Sequence, residues 1–246
     1  MSASEDLDDE RFDLTILPMK KTGEGIRLRR EYHRRLPEFD RGAVVAVLGK
    51  IKSGKSLFGA LNMSLNENMA GNLFDDVIYF STTLNQDDVG MRMKEAFPST
   101  TYDHFSEKKL ESILDGIQNT PKESRRSSLF ILDDFAGSVK TNSLFFDLAS
   151  RIRHYSASLI YLVQGYKQLP LRVRNNVTSI FIGRVPGMTV SQVAEEHGST
   201  FGGKENLIAM HRRATAEPYN FLYLRLDSVP PKAHRNLEKE ILYVDD

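Results

Sequence analysis

The stretch that most constrains this chain is an apolar run that leads directly into a glycine-rich loop. Five apolar residues at positions 44–48 precede Gly49, and residues 49–56 fit G-x-x-x-x-G-K-[ST] at every fixed position. The glycines let backbone N–H groups point at a phosphate, the lysine adds a mobile positive charge, and the serine hydroxyl suits Mg²⁺. We therefore predict a nucleoside triphosphate site formed by Gly49, Lys50, Ile51, Lys52, Ser53, Gly54, Lys55, Ser56 and Leu57.

The motif requires a strand before the loop and a helix after it, and both are predicted. Apolar residues recur at helical spacing after the loop, which indicates a helix that packs on a sheet. They are Leu57, Phe58, Leu61, Leu65 and Met69. The N-terminus of such a helix favours a bound anion through its dipole and its free N–H groups. The local pattern thus agrees with a phosphate site.

Two carboxylates follow a later apolar strand. Residues 128–132 are predicted to form this strand, and Asp133 and Asp134 come directly after it. At such a position Asp133 can hold the hydration shell of Mg²⁺ opposite Ser56, and Asp134 can orient the water that attacks the γ-phosphate. The alternative is a capped turn with no catalytic role. The upstream phosphate loop favours the metal site.

A glutamine ends the next apolar strand, which is predicted at residues 159–163. Gln164 follows directly and is expected to lie level with the Asp133 carboxylate. An amide at the carboxyl end of a strand can hydrogen-bond a γ-phosphate or its attacking water. Gln164 is therefore a further candidate catalytic residue.

The other predicted elements alternate between strands and helices. Predicted strands lie at residues 12–17, 26–29, 76–81, 179–184 and 220–226, and predicted helices at 107–117, 145–152, 190–197 and 205–213. The segment 82–106 has no clear pattern. Alternation of this kind predicts an α/β fold.

Composition limits the classes of partner and site. Lysine plus arginine equals aspartate plus glutamate at 33 each, so any nucleic-acid contact requires a local basic patch. The absence of cysteine excludes disulfides and thiolate metal sites. No apolar run approaches the roughly 20 residues that span a bilayer, so no membrane partner is expected.

Taken together, the motifs resemble those of a known family. The residues that carry the resemblance are 48–56, 131–134, 151–164 with its Arg-His, apolar strand and Gln, and 168–176. The chain resembles the FtsK–HerA superfamily of DNA-pumping ATPases, and within it the viral genome-packaging ATPases of the poxvirus, giant-virus and virophage type. The resemblance covers roughly residues 40–227. Asp134 departs from the glutamate that many superfamily members carry.

The resemblance implies a RecA-like ASCE core, an α/β fold with a mostly parallel central sheet flanked by helices. It also implies ATP and Mg²⁺ as cofactors. It implies a P-loop ATPase domain at residues 40–227. The residues themselves predict an acidic tail with a strand and a basic segment before this domain (1–39) and a polar tail after it (228–246). The resemblance further implies a homo-oligomeric ring of five or six subunits that moves double-stranded DNA, independently of sequence, into a preformed capsid at a vertex or portal. Such a protein is expected in the virion or in the viral factory of the host cytoplasm.

In such rings an arginine of the next subunit stabilises the transferring phosphate. By the resemblance, Arg174 is the first candidate for this finger, followed by Arg151 and Arg153. For each of them a surface ion pair is the competing interpretation.

The residues that contact DNA are less well indicated. Loops around Lys140 or Lys167 and the basic stretch from Arg27 to Arg35 are equal candidates. A solvated face, neutralised by the acidic tail, also explains the basic stretch.

Several other functions fit parts of the sequence. A GTPase would use Asp134-Phe135-Ala136-Gly137 as a switch, but the sequence has no Asn-Lys-x-Asp for guanine. A small-molecule kinase, with Arg151 and Arg153 over the phosphates, would need a lid segment of the usual length, and the sequence shows none. A cellular or plasmid DNA translocase, and a nucleotide-binding docking protein of the virion that hydrolyses little, also stay open.

Overall fold

The computed structural model describes residues 25–135, 138–140 and 142–238. The predicted strand at 12–17 and the acidic tail lie outside these residues. The described part contains eight strands in one sheet, in the order β3-β2-β4-β5-β1-β6-β7-β8. The strands are β1 Val44–Leu48, β2 Asp76–Ser81, β3 Thr101–Tyr102, β4 Ser128–Asp133, β5 Ala157–Val163, β6 Ser179–Ile182, β7 Leu222–Arg225 and β8 Lys232–Arg235.

The strand that leads into the phosphate loop lies inside the sheet. β1 pairs in parallel with β5 on one side and with β6 on the other, and β2, β3 and β4 continue the parallel order. β7 and β8 add an antiparallel edge beyond β6. The carboxyl ends of the six parallel strands therefore share one edge, named here the carboxyl edge, where ligands of open α/β sheets bind. This arrangement confirms the predicted fold class.

Helices cover both faces of the sheet. A π-helical segment, Leu57–Asn62, runs into α1 (Met63–Leu65), and the other helices are α2 Asp88–Ala96, α3 Glu107–Gln118, α4 Leu144–Arg151, α5 Leu171–Arg174, α6 Gly187–His197 and α7 Lys204–Ala214. Side chains cap three of them: Asp87 accepts a hydrogen bond from the Gly90 N–H at 2.6 Å, Ser106 from that of Lys109 at 3.2 Å and Ser143 from that of Phe145 at 3.3 Å. The unassigned segment 82–106 thus holds α2 and β3.

Two apolar layers hold the sheet between the helices. Val44, Ala46 and Leu48 face one layer, whereas Val45 and Val47 face the other. Strands β1, β4, β5 and β6 are buried along their whole length. Continuous apolar runs are the expected sequence of parallel strands that are covered on both faces.

Two predicted elements at the start of the domain are wrong. Residues 26–29 form no strand but an irregular segment, in which Ile26 N–H donates to Asp40 O at 2.6 Å and Arg29 N–H to Leu73 O at 2.9 Å. The helical segment after the loop ends at Leu65, and Met69 lies in the following turn. The Arg30 guanidinium connects the two regions because it donates to three backbone carbonyls that follow the helical segment, those of Glu67, Met69 and Gly71.

The predicted polar tail includes part of the sheet. Lys232–Arg235 forms β8, which pairs with β7 and buries Ala233 and His234. Only these two residues of the strand are buried, which explains why its apolar signal is weak in the sequence. Among the described residues, no helix combines the length and apolar character needed to cross a bilayer.

Candidate active site

The phosphate loop is fixed by the two strands beside β1. Gly49 N–H donates to the carbonyl of Val163, the last residue of β5, at 3.1 Å, and Lys50 N–H donates to the carbonyl of Arg184, just after β6, at 3.0 Å. These two N–H groups therefore anchor the loop and do not face a phosphate. The cradle for a phosphate is left to the later residues of the loop.

The turn of the loop depends on left-handed backbone and on close contacts. Gly54 has φ +86° and Lys52 has φ +62°. A Cβ on Gly49 would collide with the hydroxyl of Ser53. That hydroxyl is buried and has no hydrogen-bond partner within the described chain. A buried polar atom without a partner at this place fits a loop that receives an anionic ligand.

At the base of the loop, Lys55 and Asp133 form a buried ion pair. Lys55 Nζ lies 2.8 Å from Asp133 Oδ1, with side-chain exposures of 10% and 2%. The Tyr79 hydroxyl donates to the other carboxylate oxygen, Asp133 Oδ2, at 3.2 Å. Burial, and secondly the Asp133 charge, raise the pKa of Tyr79 far above its usual range, so this hydroxyl stays a neutral donor. The structure thus brings Asp133 to Lys55 of the phosphate loop.

Asp134 is held in an uncommon backbone conformation. It follows β4 with φ +52°, and the hydroxyl of Thr82 donates to its carbonyl oxygen at 3.0 Å and to its Oδ2 at 3.3 Å. Thr82 follows β2, the strand that pairs Ser81 with Asp133. The half-buried Asp134 carboxylate is therefore oriented from a neighbouring strand.

Gln164 lies between the loop and the two carboxylates because its strand, β5, separates β1 from β4. The register pairs Asp133 with Leu162, so Gln164 follows two residues further along. The side-chain oxygen of Gln168 accepts hydrogen bonds from the N–H groups of Gln164 and Gly165, at 3.0 and 3.1 Å. These bonds fix the turn that positions Gln164.

The three arginines predicted as fingers differ in their surroundings. Arg174 is 13% exposed, and its Nε lies 3.1 Å from Glu196 Oε1. Its guanidinium also donates to the Leu169 carbonyl at 3.1 Å and stacks over the Tyr166 ring. Arg151 and Arg153, in contrast, are exposed and precede the amino end of β5, on the edge opposite the phosphate loop.

The profile of the family described as Poxvirus A32 protein matches residues 40–224 of this chain. The chain belongs to this family. The match confirms the resemblance to the poxvirus type of viral genome-packaging ATPase that the motifs indicated. A search of curated protein sequences finds no match.

Solved structures of the protein B204 share the fold of this A32-family chain. The DNA-packaging ATPase B204 of Sulfolobus turreted icosahedral virus has a TM-score of 0.55 and 15% identity, over 80% of this chain and 98% of that chain. The genome packaging NTPase B204 of Sulfolobus turreted icosahedral virus 2 in complex with ATP-gammaS has a TM-score of 0.51 and 15% identity, over the same shares. Both share the predicted fold class.

The residues present fit a nucleotide with Mg²⁺. The buried Ser53 hydroxyl and the Lys55 ammonium suit phosphate oxygens, while Ser56 and Asp133 offer the hydroxyl and carboxylate that a P-loop magnesium ion uses. No group of three or more acidic, histidine or cysteine side chains in the described ranges could hold a metal by itself.

Two residues that support the carboxylates were missed from the sequence. Tyr79 lies within β2 and reaches Asp133, and Thr82 follows β2 and reaches Asp134. A usable signal was present, because Thr82 and Thr83 follow an apolar strand just as Asp133 and Asp134 do.

Proposed function

We propose that this protein is an ATP-hydrolysing motor that moves double-stranded DNA into a preformed viral capsid. The observation that carries the proposal is the Lys55–Asp133 pair at the phosphate loop, with Asp134 and Gln164 on the same edge of an A32-family fold. The description of B204 as a DNA-packaging ATPase, and its complexes with ATP-gammaS and AMPPCP, support DNA and ATP as the ligands.

Each side chain of the site has a role in ATP hydrolysis under this proposal. Lys55 and the N–H groups of the later loop residues bind the β- and γ-phosphates. Ser56 and Asp133 would hold Mg²⁺, which when bound would neutralise charge on the phosphoryl group. Asp134 orients the attacking water, and Thr82 keeps its carboxylate in place.

Lys55 changes partner when it takes up this role. Its ammonium gives up the Asp133 carboxylate for phosphate oxygens, and Asp133 then becomes available to the metal. Because both groups are buried, neither could leave the other without a replacement charge. Binding of the phosphates is thereby coupled to placement of the metal ligand.

In this proposal the protein forms a ring of five or six subunits, and an arginine of one subunit reaches the nucleotide site of its neighbour. Arg151 and Arg153 are better placed as fingers than Arg174, because Arg174 would first have to leave Glu196. Mixing an Arg151→Ala or Arg153→Ala chain with an Asp134→Asn chain should restore ATPase activity at mixed interfaces. No recovery in rings shown to co-assemble would exclude a finger in trans at that position.

DNA contacts fall on the loops of the carboxyl edge. Lys140 and Lys167 follow β4 and β5 and are exposed, and Lys140 and Arg172 line an open cavity of about 650 Å³. In the Arg27–Arg35 stretch, by contrast, Arg30 is bound to backbone carbonyls. Contacts to phosphates without contacts to bases make binding independent of sequence.

The decisive measurement is ATP hydrolysis with and without long duplex DNA. The proposal expects hydrolysis that DNA stimulates, loss of nucleotide binding in Lys55→Ala, and loss of turnover with retained binding in Asp134→Asn. Normal ATP binding with no hydrolysis in either condition would instead indicate a nucleotide-binding docking protein of the virion.

The remaining assignments follow from the same proposal. The capsid vertex or portal is the partner, the protein is carried in the virion or in the viral factory of the host cytoplasm, and no membrane takes part. A cellular or plasmid translocase of the same superfamily is the second candidate, but the A32-family match favours the viral role.

A further inference from the structure

An aromatic ring lies directly beside the phosphate loop. A Cβ built on Gly54 would lie 3.2 Å from Cδ1 and 3.8 Å from Cε1 of Tyr219. The Tyr219 side chain is nevertheless 68% exposed. One part of the ring therefore contacts the loop, and most of its surface is open to solvent.

The position of Tyr219 is held against local strain. Its φ is +63°, an outlier for a bulky aromatic residue. The neighbouring backbone is fixed because Asn236 Oδ1 accepts from the Phe221 N–H at 2.8 Å and Asn236 Nδ2 donates to Asn220 Oδ1 at 2.9 Å. Strained residues that the surrounding structure holds in place occur most often at functional sites and ligand clamps.

The turn that carries Tyr219 is also tied to the phosphate loop. Arg184 accepts a hydrogen bond from Lys50 N–H through its carbonyl, while its guanidinium donates to the Ala216 carbonyl at 3.2 Å. One residue thus connects the loop to the turn before β7. The ring and the loop are consequently held in a fixed relation.

The place of the ring in the sheet indicates which part of a nucleotide it would meet. Asp133 and Asp134 follow β4, on one side of β1, and Tyr219 precedes β7, on the other side. Because β7 is antiparallel and pairs Leu222 with Ile182, its start lies at the carboxyl edge. If the γ-phosphate is directed towards the two aspartates, the nucleoside end of a bound nucleotide would extend towards the Tyr219 side.

We propose that Tyr219 is the residue on which the nucleobase of the bound nucleotide stacks. The inference rests on the proposed function, since it assumes that the loop holds a nucleotide. Stacking on an aromatic ring tolerates every base because every base has a π-face. The contact therefore adds affinity for the nucleoside without selecting adenine over guanine.

Calorimetric titration of the full chain with ATP, GTP and inorganic tripolyphosphate, each with Mg²⁺, tests the proposal. Tyr219→Asn removes the ring and tolerates the positive φ, so the fold should be retained. It should weaken ATP and GTP binding by about 5- to 150-fold and leave the tripolyphosphate affinity unchanged. Tyr219→Phe keeps the ring, so its affinity for ATP and GTP should stay within about twofold of the wild-type value.

The outcomes separate this inference from the proposed function. If the wild-type chain binds neither ATP nor tripolyphosphate, the proposed function fails. If it binds ATP and Tyr219→Asn binds equally well, or loses tripolyphosphate affinity to the same extent, base stacking at Tyr219 is refuted. Thermal unfolding without ligand checks the fold, and Tyr219→Gly, which also tolerates the backbone conformation, repeats the test should the asparagine variant unfold.

Discussion

Replacement of Lys55 by methionine should destabilise the fold strongly even in the absence of nucleotide. The substitution keeps the length of the side chain but leaves the Asp133 carboxylate, which is 2% exposed, without its cation. Removal of one partner of a buried ion pair typically costs about 3–5 kcal/mol. The Tyr79 hydroxyl still donates to Asp133, so we expect a loss near the lower end, about 3 kcal/mol.

Urea unfolding at neutral pH, followed by circular dichroism, measures this loss. An exposed pair provides the matched control: Lys204 Nζ lies 3.1 Å from Glu195 Oε1 with side-chain exposures of 44% and 54%. Lys204→Met should cost no more than about 1 kcal/mol, because exposed pairs contribute little. In the Lys55→Met background, Asp133→Asn should recover part of the lost stability, since the amide carries no charge to bury.

Two results would refute this reasoning. If Lys55→Met and Lys204→Met lower the free energy of unfolding by amounts that differ by less than about 0.5 kcal/mol, the Lys55 ammonium does not compensate a buried Asp133 charge. If Asp133→Asn makes the Lys55→Met chain less stable still, the cost of the single substitution arises from lost packing and not from an uncompensated carboxylate.

Thr82→Val should lower kcat for ATP about tenfold and change KM less than twofold, because the carboxylate that it orients acts only in the chemical step; steady-state kinetics would show a KM effect if Thr82 served binding instead. Lys140→Gln with Lys167→Gln should lower the salt dependence of duplex binding by about two phosphate contacts, equally for unrelated sequences; an unchanged slope would place the DNA path elsewhere. Burial lowers the pKa of His211, against the opposing effect of its hydrogen bond with a backbone carbonyl. The unfolded chain therefore binds the proton first as the pH falls below about 6.5, and stability decreases; His211→Gln should reduce this decrease in urea unfolding at about pH 5.5 against 7.5.

The fold could be predicted from the sequence wherever a strand is buried on both faces. Residues 44–48 and 159–163 are continuous apolar runs, and each lies within an observed strand. The edges were harder to predict. β8 buries only its two central residues, and the 26–29 segment alternates like a strand although its residues bond to Asp40 and Leu73 instead of to a neighbouring strand.

Some residues of the candidate site could be predicted from the sequence and others could not. The phosphate loop and the two aspartates could be recognised because consecutive residues carry each motif. Tyr79 and Tyr219 could not, because their contacts depend on which strands become neighbours in the sheet. Tyr219 is more than 160 residues from Gly54 along the chain but touches it in space. Roles of this kind follow from topology and register, which local patterns do not specify.

The sheet also determines which arginines can act within one chain. β5 contains seven residues and spans about 20 Å. Arg151 and Arg153 precede its amino end, and the Arg153 side chain lies beside Gly42, just before β1. The phosphate loop follows the carboxyl end of β1, which runs parallel to β5. An arginine side chain cannot span the length of β5 from the amino edge of the sheet to the carboxyl edge. Arg151 or Arg153 could therefore reach a phosphate only in the site of a neighbouring subunit.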